Sequence, residues 1–198
     1  MGISSSAISR ETVQGPVFSS RKLCFHSLIH KQQNSQGIWA PELHALNGRW
    51  YILYCAEHPR IGNASHRLFV LGGPPSTQDP CMDVSTGAWQ DLGHVQGMRT
   101  DQWAIDGTYF TLNNTLYMVY AGSPIGQDPA KFSDSLLHIV RMNSPTQCGS
   151  QPVPISAPTH DWEREGWQGI NEGPEWLEAP DGSWKGLVYS AGGSWCNR

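Results

Sequence analysis

The fold of this chain is decided by residues 38–56, which read IWAPELHALNGRWYILYCA. Two apolar, β-prone runs flank the dipeptide Asn47-Gly48, and the second run extends from Trp50 to Ala56. An Asn-Gly pair between such runs is the strongest short-range signal for a β-hairpin, because both residues readily adopt the left-handed backbone of a two-residue turn. The stretch therefore predicts two antiparallel strands joined at Asn47-Gly48.

The same pattern recurs twice further along the chain. Tyr54 has counterparts at Tyr120 and Tyr189, which follow it at intervals of 66 and 69 residues, and the turn dipeptides Asn113-Asn114 and Asp181-Gly182 precede those two tyrosines. A repeat of small antiparallel sheets is typical of β-propeller blades. Because a propeller needs at least about four blades to close, we predict an all-β fold that is a partial propeller of about three blades.

The composition restricts the partners of the chain. The 198 residues include nine Trp, 21 Gly and 14 Pro, and the net charge is −4. Trp offers flat apolar faces that suit sugar rings, although it also fills protein cores. No block of Lys and Arg stands out, so we expect no nucleic-acid partner. No apolar run approaches the ~20 residues that span a bilayer, so we expect no membrane partner.

The N-terminal segment and the cysteines carry little information. Residues 1–37 are a poorly specified leader without the apolar core of a secretory signal, which leaves the localisation unknown. Residues 38–198 form the predicted propeller domain. The triplets at Asn63 and Asn113 match the N-glycosylation motif, which arises often by chance. The five cysteines form no cluster with metal-ligand spacing, so we predict no metal site and no cofactor.

Two carboxylates stand out from this background. Asp106 follows an apolar Trp-Ala-Ile run within residues 103–108, and Glu172 is followed by Gly and Pro within residues 171–174. A carboxylate in such a setting is costly to desolvate unless something pairs with it or uses it. The residues alone leave two interpretations open, which are the carboxyl pair of a glycosidase and ordinary turn residues at strand ends.

Four stretches together make residues 38–198 resemble glycoside hydrolase family 43, the five-bladed propeller enzymes that act on arabinose- and xylose-containing polysaccharides. They are residues 39–51, 103–108, 171–175 and 189–195. The resemblance implies that this chain is an incomplete copy, corresponding to blades two to four. It implies an inverting hydrolase, similar to α-L-arabinofuranosidases or β-xylosidases, and a family that is usually secreted.

The resemblance also implies roles for individual carboxylates. Three of them converge in the family. Glu172 matches the general acid, and Asp106 matches the aspartate that tunes the acid's pKa and orients the substrate. The general base is expected well upstream of Trp39, but the first aspartate of this sequence is Asp79. The expected base is therefore missing.

Substrate contacts are expected from four further residues. Trp39 and Trp103 each lie three residues before a motif carboxylate and are candidates for a sugar platform, although blade core is an equal alternative for each. Glu42 is a candidate neighbour of the site or a salt-bridged strand residue. Trp195 lies in the last motif and is a candidate for the channel wall.

The sequence supports two main functional hypotheses. The first is a glycoside hydrolase that cleaves arabinose- or xylose-containing oligo- or polysaccharides. The second is a non-catalytic carbohydrate-binding remnant, which the missing base and the small number of blades favour. A protein-interaction propeller is a weaker third hypothesis, because it leaves the carboxylate motifs without a use.

Overall fold

The computed structural model describes residues 35–80, 88–128, 130–131, 134–166 and 168–193. Their strands form three antiparallel sheets. The first sheet holds β1 (Gln36–Leu46), β2 (Arg49–Glu57), β3 (Arg67–Pro75) and β4 (Gln90–His94). The second holds β5 (Ala104–Leu112), β6 (Thr115–Gly122), β7 (Leu136–Ser144), β8 (Gln147–Cys148) and β9 (Val153–Ser156). The third is the hairpin of β10 (Asn171–Glu178) and β11 (Lys185–Ala191). Each sheet is one blade of a partial propeller.

Two of the three predicted hairpin turns have the expected length. Leu46 pairs with Arg49 across Asn47-Gly48, and Leu112 pairs with Thr115 across Asn113-Asn114. All four turn residues have positive φ, as a two-residue hairpin turn requires. The third turn differs, because Glu178 pairs with Lys185 and leaves a six-residue loop. Asp181-Gly182 lies within that loop instead of forming the whole turn.

The first strand of every blade carries an irregularity at the same place. The strand register shifts between Trp39 and Glu42, between Ile105 and Thr108, and between Glu172 and Glu175. A residue with positive φ lies inside each shift: Ala40 at 43°, Asp106 at 51° and Gly173 at 58°. Such β-bulges re-aim the neighbouring side chains and increase the local twist.

The main core lies between the first two blades. Buried residues of β2 and β3, including Leu53, Leu68 and Val70, pack with residues of the second blade such as Met118 and Val119. The third blade adds Trp176, whose ring stacks on Phe110 with 4.3 Å between centroids. Adjacent blades therefore pack against each other through apolar side chains, as successive units of a repeat protein do.

Backbone hydrogen bonds join the blades at equivalent positions. The Ala104 amide donates to the His66 carbonyl at 3.2 Å, and the Asn171 amide donates to the Ser135 carbonyl at 3.0 Å. These bonds tie the start of one blade's first strand to the start of the preceding blade's third strand. They place Asp106 and Gly173 at equivalent points of successive blades.

Several further features of the chain can be compared with the sequence analysis. The first described strand begins at Gln36, two residues before the predicted boundary, and residues 1–34 lie outside the described part. Trp184 is 50% exposed and lies in the loop between β10 and β11. The described residues include the short 3₁₀ helices Asn63–Ser65 and Asp161–Arg164. No helix among these residues is long and apolar enough to cross a membrane.

Candidate active site

The bulges on neighbouring first strands place the two motif carboxylates, Asp106 and Glu172, close enough for their charges to interact. Asp106 is the bulge residue of β5, and Glu172 directly precedes the bulge residue of β10. The amide of Gly173 donates a hydrogen bond to Oδ2 of Asp106 at 3.1 Å. One bulge therefore turns the backbone after Glu172 and also supplies a donor that holds the other carboxylate.

The surroundings of Glu172 raise the pKa of its carboxyl group. Its side chain is half-buried. Burial raises its pKa to about 7, and the negative charge of Asp106 contributes to the same rise. A carboxyl with a pKa near neutrality retains its proton at a pH where ordinary carboxyls have lost theirs, so it can deliver that proton to a leaving oxygen.

Asp106 experiences opposing influences. Burial raises its pKa, the hydrogen bond from the Gly173 amide lowers it, the charge of Glu42 raises it, and His66 lowers it. The net direction is upward. The hydrogen bond favours the ionised form, because an amide donor stabilises a carboxylate better than a carboxylic acid. The bond from Gly173 therefore opposes the effect of burial on the pKa of Asp106.

A second carboxyl pair lies on β1 and β10. Glu42 is half-buried and its Oε2 lies 3.0 Å from Nε2 of His44. The pKa of Glu175 is raised by partial burial, and then by the charge of Glu42 and a side-chain hydrogen bond to it. Glu42 is therefore close to the carboxylate site and is also a hydrogen-bond partner of His44. The pairing of Glu175 with Glu42 was not predicted.

The two candidate platform tryptophans differ in exposure. Trp39 is 43% exposed and stacks on His66 with 4.0 Å between ring centroids. Trp103 is half-buried against the main core, and its Nε1 donates to Oδ1 of Asn63 at 3.2 Å. Trp39 is therefore the more exposed of the two. Trp195 lies outside the described residues.

Sequence reasoning missed the support behind these tryptophans. Asn63 has a local signal only as part of a glycosylation motif, and nothing in the sequence around His66 distinguishes it from an ordinary strand histidine. Both lie in the connection between β2 and β3 and contact residues of β1 or the start of β5. No local pattern could reveal this, because the partners are 29 and 40 residues away.

The described part of the chain offers no cluster of three or more His, Cys, Asp or Glu side chains placed to bind a metal ion. Cys55 is buried beneath the site and its thiol lies 3.6 Å from the Trp39 carbonyl. Burial raises the pKa of this thiol to about 12, so it is not a nucleophile at neutral pH.

Comparison with known proteins gives a consistent result. The sequence pattern of the family described as Glycosyl hydrolases family 43 matches residues 19–195. An extracellular exo-α-(1→5)-L-arabinofuranosidase of Streptomyces avermitilis is 30% identical over 158 residues, which are 78% of this chain and 29% of that protein. The α-L-arabinofuranosidase 43 of Humicola insolens is 37% identical over 138 residues, which are 69% of this chain and 26% of that protein.

Solved structures agree with the sequence matches. The crystal structure of an α-L-arabinofuranosidase from Lactobacillus brevis has a TM-score of 0.64 and 33% identity, covering 79% of this chain and 46% of that one. A thermostable family-43 glycoside hydrolase has a TM-score of 0.58 at 20% identity, covering 80% and 47%, and supports the fold alone. This chain thus spans less than half of the length of each of these relatives.

Proposed function

Because this chain belongs to glycosyl hydrolase family 43, we propose that it is a glycoside hydrolase of arabinose-containing glycans in which Glu172 is the general acid. The observation that carries the proposal is the pair of half-buried carboxyls, in which the pKa of Glu172 is raised to about 7 by burial and by the charge of Asp106. Unequal environments of two neighbouring carboxyls are the usual basis for assigning an acid and its charged partner.

In this proposal the proton of Glu172 passes to the glycosidic oxygen as the bond to the anomeric carbon breaks. Asp106 keeps Glu172 protonated until that step and stabilises positive charge that develops on the sugar ring. An inverting mechanism needs a further carboxylate about 6.5–9.5 Å from the acid to activate water. The motif for that base is not found in residues 1–78, which contain no aspartate.

The choice of sugar rests on the relatives. Those compared above are named as α-L-arabinofuranosidases, which supports a terminal arabinofuranose as the substrate. The exposure of Trp39, on a strand that packs against the strand of Asp106, supports stacking against a sugar ring. A β-xyloside is the second substrate to test, since the family resemblance extends to xylose-containing polysaccharides.

The test measures hydrolysis of nitrophenyl α-L-arabinofuranoside and nitrophenyl β-xyloside by the 198-residue chain, with and without added azide or formate. A small anion can replace a missing base, so activity that rises with the anion supports the assignment of the remaining groups. Glu172→Gln should lower kcat about 10²–10⁴-fold on nitrophenyl substrate. The loss should be smaller on a dinitrophenyl substrate, whose leaving group needs little protonation.

A matched control distinguishes loss of the acid from loss of folding. Glu178 lies on the same strand as Glu172 and is paired with Lys185 at the surface at 2.6 Å. Glu178→Gln should therefore retain wild-type turnover. If no pentoside is hydrolysed under any of these conditions, or if Glu172→Gln loses as much activity on dinitrophenyl as on nitrophenyl substrate, the proposed role of Glu172 is wrong.

The alternative function is carbohydrate binding without hydrolysis. The exposed Trp39 and the missing base motif both favour it. Calorimetric titration with arabino- and xylo-oligosaccharides would then show affinity that Trp39→Ala weakens by about 1–3 kcal/mol, comparable to other stacking contacts. A flat titration would argue against binding by this chain alone.

A further inference from the structure

His66 is a fully buried histidine with an unusual set of neighbours. It lies between the 3₁₀ turn Asn63–Ser65 and β3, and its side chain has no exposed surface. Nε2 lies 2.7 Å from the carbonyl oxygen of Gly37, and Nδ1 lies 3.0 Å from the carbonyl oxygen of Asn63. Main-chain carbonyls only accept hydrogen bonds. Each ring nitrogen must therefore carry a hydrogen if both contacts are hydrogen bonds.

The third close neighbour is also an acceptor. Oδ1 of Asn63 lies 3.0 Å from Nδ1 of His66. The amide of Asn63 cannot be rotated to offer its NH₂ group instead, because Nε1 of Trp103 is only a donor and contacts the same Oδ1 at 3.2 Å. Every hydrogen-bond neighbour of the His66 ring in the described residues thus accepts.

We propose that His66 is a buried imidazolium that positions Trp39 and Trp103 and places a positive charge behind Asp106. The proposal names a positioning residue for the site described above and rests on the proposed function only for the use of that site. The charge state itself follows from hydrogen-bond geometry and does not require that the chain hydrolyse anything.

The surroundings supply compensation for a buried positive charge. Oε2 of Glu57 lies 3.7 Å from Nδ1 of His66. The ring of Trp39 covers the imidazolium at 4.0 Å between centroids with an interplanar angle of 27°, which is a cation–π arrangement. One like charge is close, because the guanidinium of Arg67 donates to the His66 carbonyl at 2.7 Å.

Gly37 makes the close approach possible. Its φ is +53°, and a Cβ added there would lie 2.8 Å from Nε2 of His66 and 2.7 Å from Cγ of Glu57. Any side chain at residue 37 would displace the carbonyl from the imidazole. The glycine thus allows β1 to supply both an acceptor for His66 and, two residues later, the tryptophan that stacks on it.

His138 provides an internal comparison. It is as buried as His66, but Nε2 of Gln102 lies 3.4 Å from its own Nε2. That Gln102 nitrogen is fixed as the NH₂ group because it donates to the Ser123 carbonyl at 2.6 Å. Nε2 of His138 must therefore accept, so this ring is neutral. Burial lowers the pKa of His138 to about 4, in the same direction.

The test is long-range ¹⁵N–¹H NMR of the whole chain labelled at histidine, recorded at pH 6.5. Both ring nitrogens of His66 should show the shifts of a protonated nitrogen, whereas His138 should show one protonated and one unprotonated nitrogen. His66→Gln and His138→Gln identify the two signals by their disappearance. An unprotonated nitrogen on His66 would overturn the proposal.

Positioning is tested separately by the titration of Asp106 and by the emission of Trp39. His66→Gln should shift the titration midpoint of Asp106 upward in carboxyl-detected NMR, because a nearby positive charge is lost. It should also raise the Trp fluorescence that the stacked imidazolium quenches in the wild type, and Trp39→Phe should remove that increase. An unchanged Asp106 midpoint in a folded His66→Gln chain would refute the electrostatic role. Neither readout depends on hydrolysis, so failure of the proposed function remains distinguishable.

Discussion

At the scale of single residues, the site depends on how one carboxyl influences another. Glu172 and Asp106 lie on adjacent first strands, and the raised pKa of Glu172 is caused by burial first and by the charge of Asp106 second. The Gly173 amide, which follows Glu172 directly, holds Asp106 at 3.1 Å. The two groups are thus linked through one peptide unit as well as through their charges.

Asp106→Asn should lower the pKa of Glu172. Asparagine tolerates the φ of 51° at this position and still offers an oxygen to the Gly173 amide, so the substitution removes mainly the charge. Carboxyl-detected NMR should show the Glu172 midpoint moving down from about 7. In an active chain, the basic limb of the pH–kcat profile should move in the same direction. A Glu172 midpoint that is unchanged in Asp106→Asn would exclude the proposed electrostatic coupling.

Glu172 also predicts a pH-dependent stability. Its pKa is raised from 4.5 to about 7 in the fold, so between these values the folded chain binds more protons than the unfolded chain. The free energy of unfolding therefore falls as the pH rises from about 4.5 to about 7. Glu172→Gln removes this contribution and should stabilise the chain at pH 8 relative to pH 5 by on the order of 1 kcal/mol, after allowance for partial solvent exposure.

Urea unfolding of wild type, Glu172→Gln and Glu178→Gln at pH 5 and pH 8 measures this effect. Only the difference between each variant and the wild type matters, because other carboxyls contribute to every curve. Glu178→Gln removes a surface carboxylate and should change stability similarly at both pH values. If both variants show the same pH dependence of their stability difference from the wild type, Glu172 is not desolvated.

At the scale of elements, the hairpins illustrate what local sequence can predict. Asn47-Gly48 and Asn113-Asn114 form two-residue turns because Asn and Gly tolerate positive φ, and the sequence shows this directly. Asp181-Gly182 has the same local signal but lies in a six-residue loop, where the Ala179 amide donates to the Trp184 carbonyl at 2.8 Å. Strand register decided that outcome, and register depends on pairing along the whole hairpin.

The turn at Asn114 can be tested by substitution. Its φ is 60°, so Asn114→Gly should leave the free energy of unfolding unchanged to within about 0.5 kcal/mol, whereas Asn114→Val should lower it by about 1–2 kcal/mol because a β-branched residue is strained there. Thr111→Val introduces the same side chain at an exposed strand position of the same hairpin and serves as the control. Similar urea midpoints for Asn114→Val and Thr111→Val would contradict the assigned turn.

The bulges show what local sequence does not predict. Positive φ at Ala40 has no signal in residue type, since alanine rarely adopts it, and only the repeat of the feature at Asp106 and Gly173 makes it intelligible. The strands and the blade repeat could be read from pattern and resemblance, which also singled out Asp106 and Glu172 as candidates. The contacts of Glu175 with Glu42 and of His66 with Gly37 could not, because they join residues that only the packed fold brings together.

At the scale of the whole molecule, the two faces of the third blade have different surroundings. Trp176 and Leu187 are paired on the third blade and turn toward the core of the second. Side chains alternate along a strand, so Leu177 and Val188 turn the other way, and they are 46% and 42% exposed. Among the described strands, β11 also has no partner on its outer side. An apolar face beside an open strand edge favours association.

The 198-residue chain should therefore self-associate through this face. Sedimentation velocity over a range of concentrations should show a rising mean mass for the wild type, and a smaller rise for Leu177→Thr/Val188→Thr, because threonine keeps the β propensity while removing apolar surface. Val153→Thr/Ile155→Thr is the matched control, since these β9 side chains are 55% and 45% exposed but lie in another blade. If both double variants reduce association equally, exposed apolar area in general is responsible. If neither does, and the wild type stays monomeric at all concentrations, the outer face of the third blade is not a contact surface.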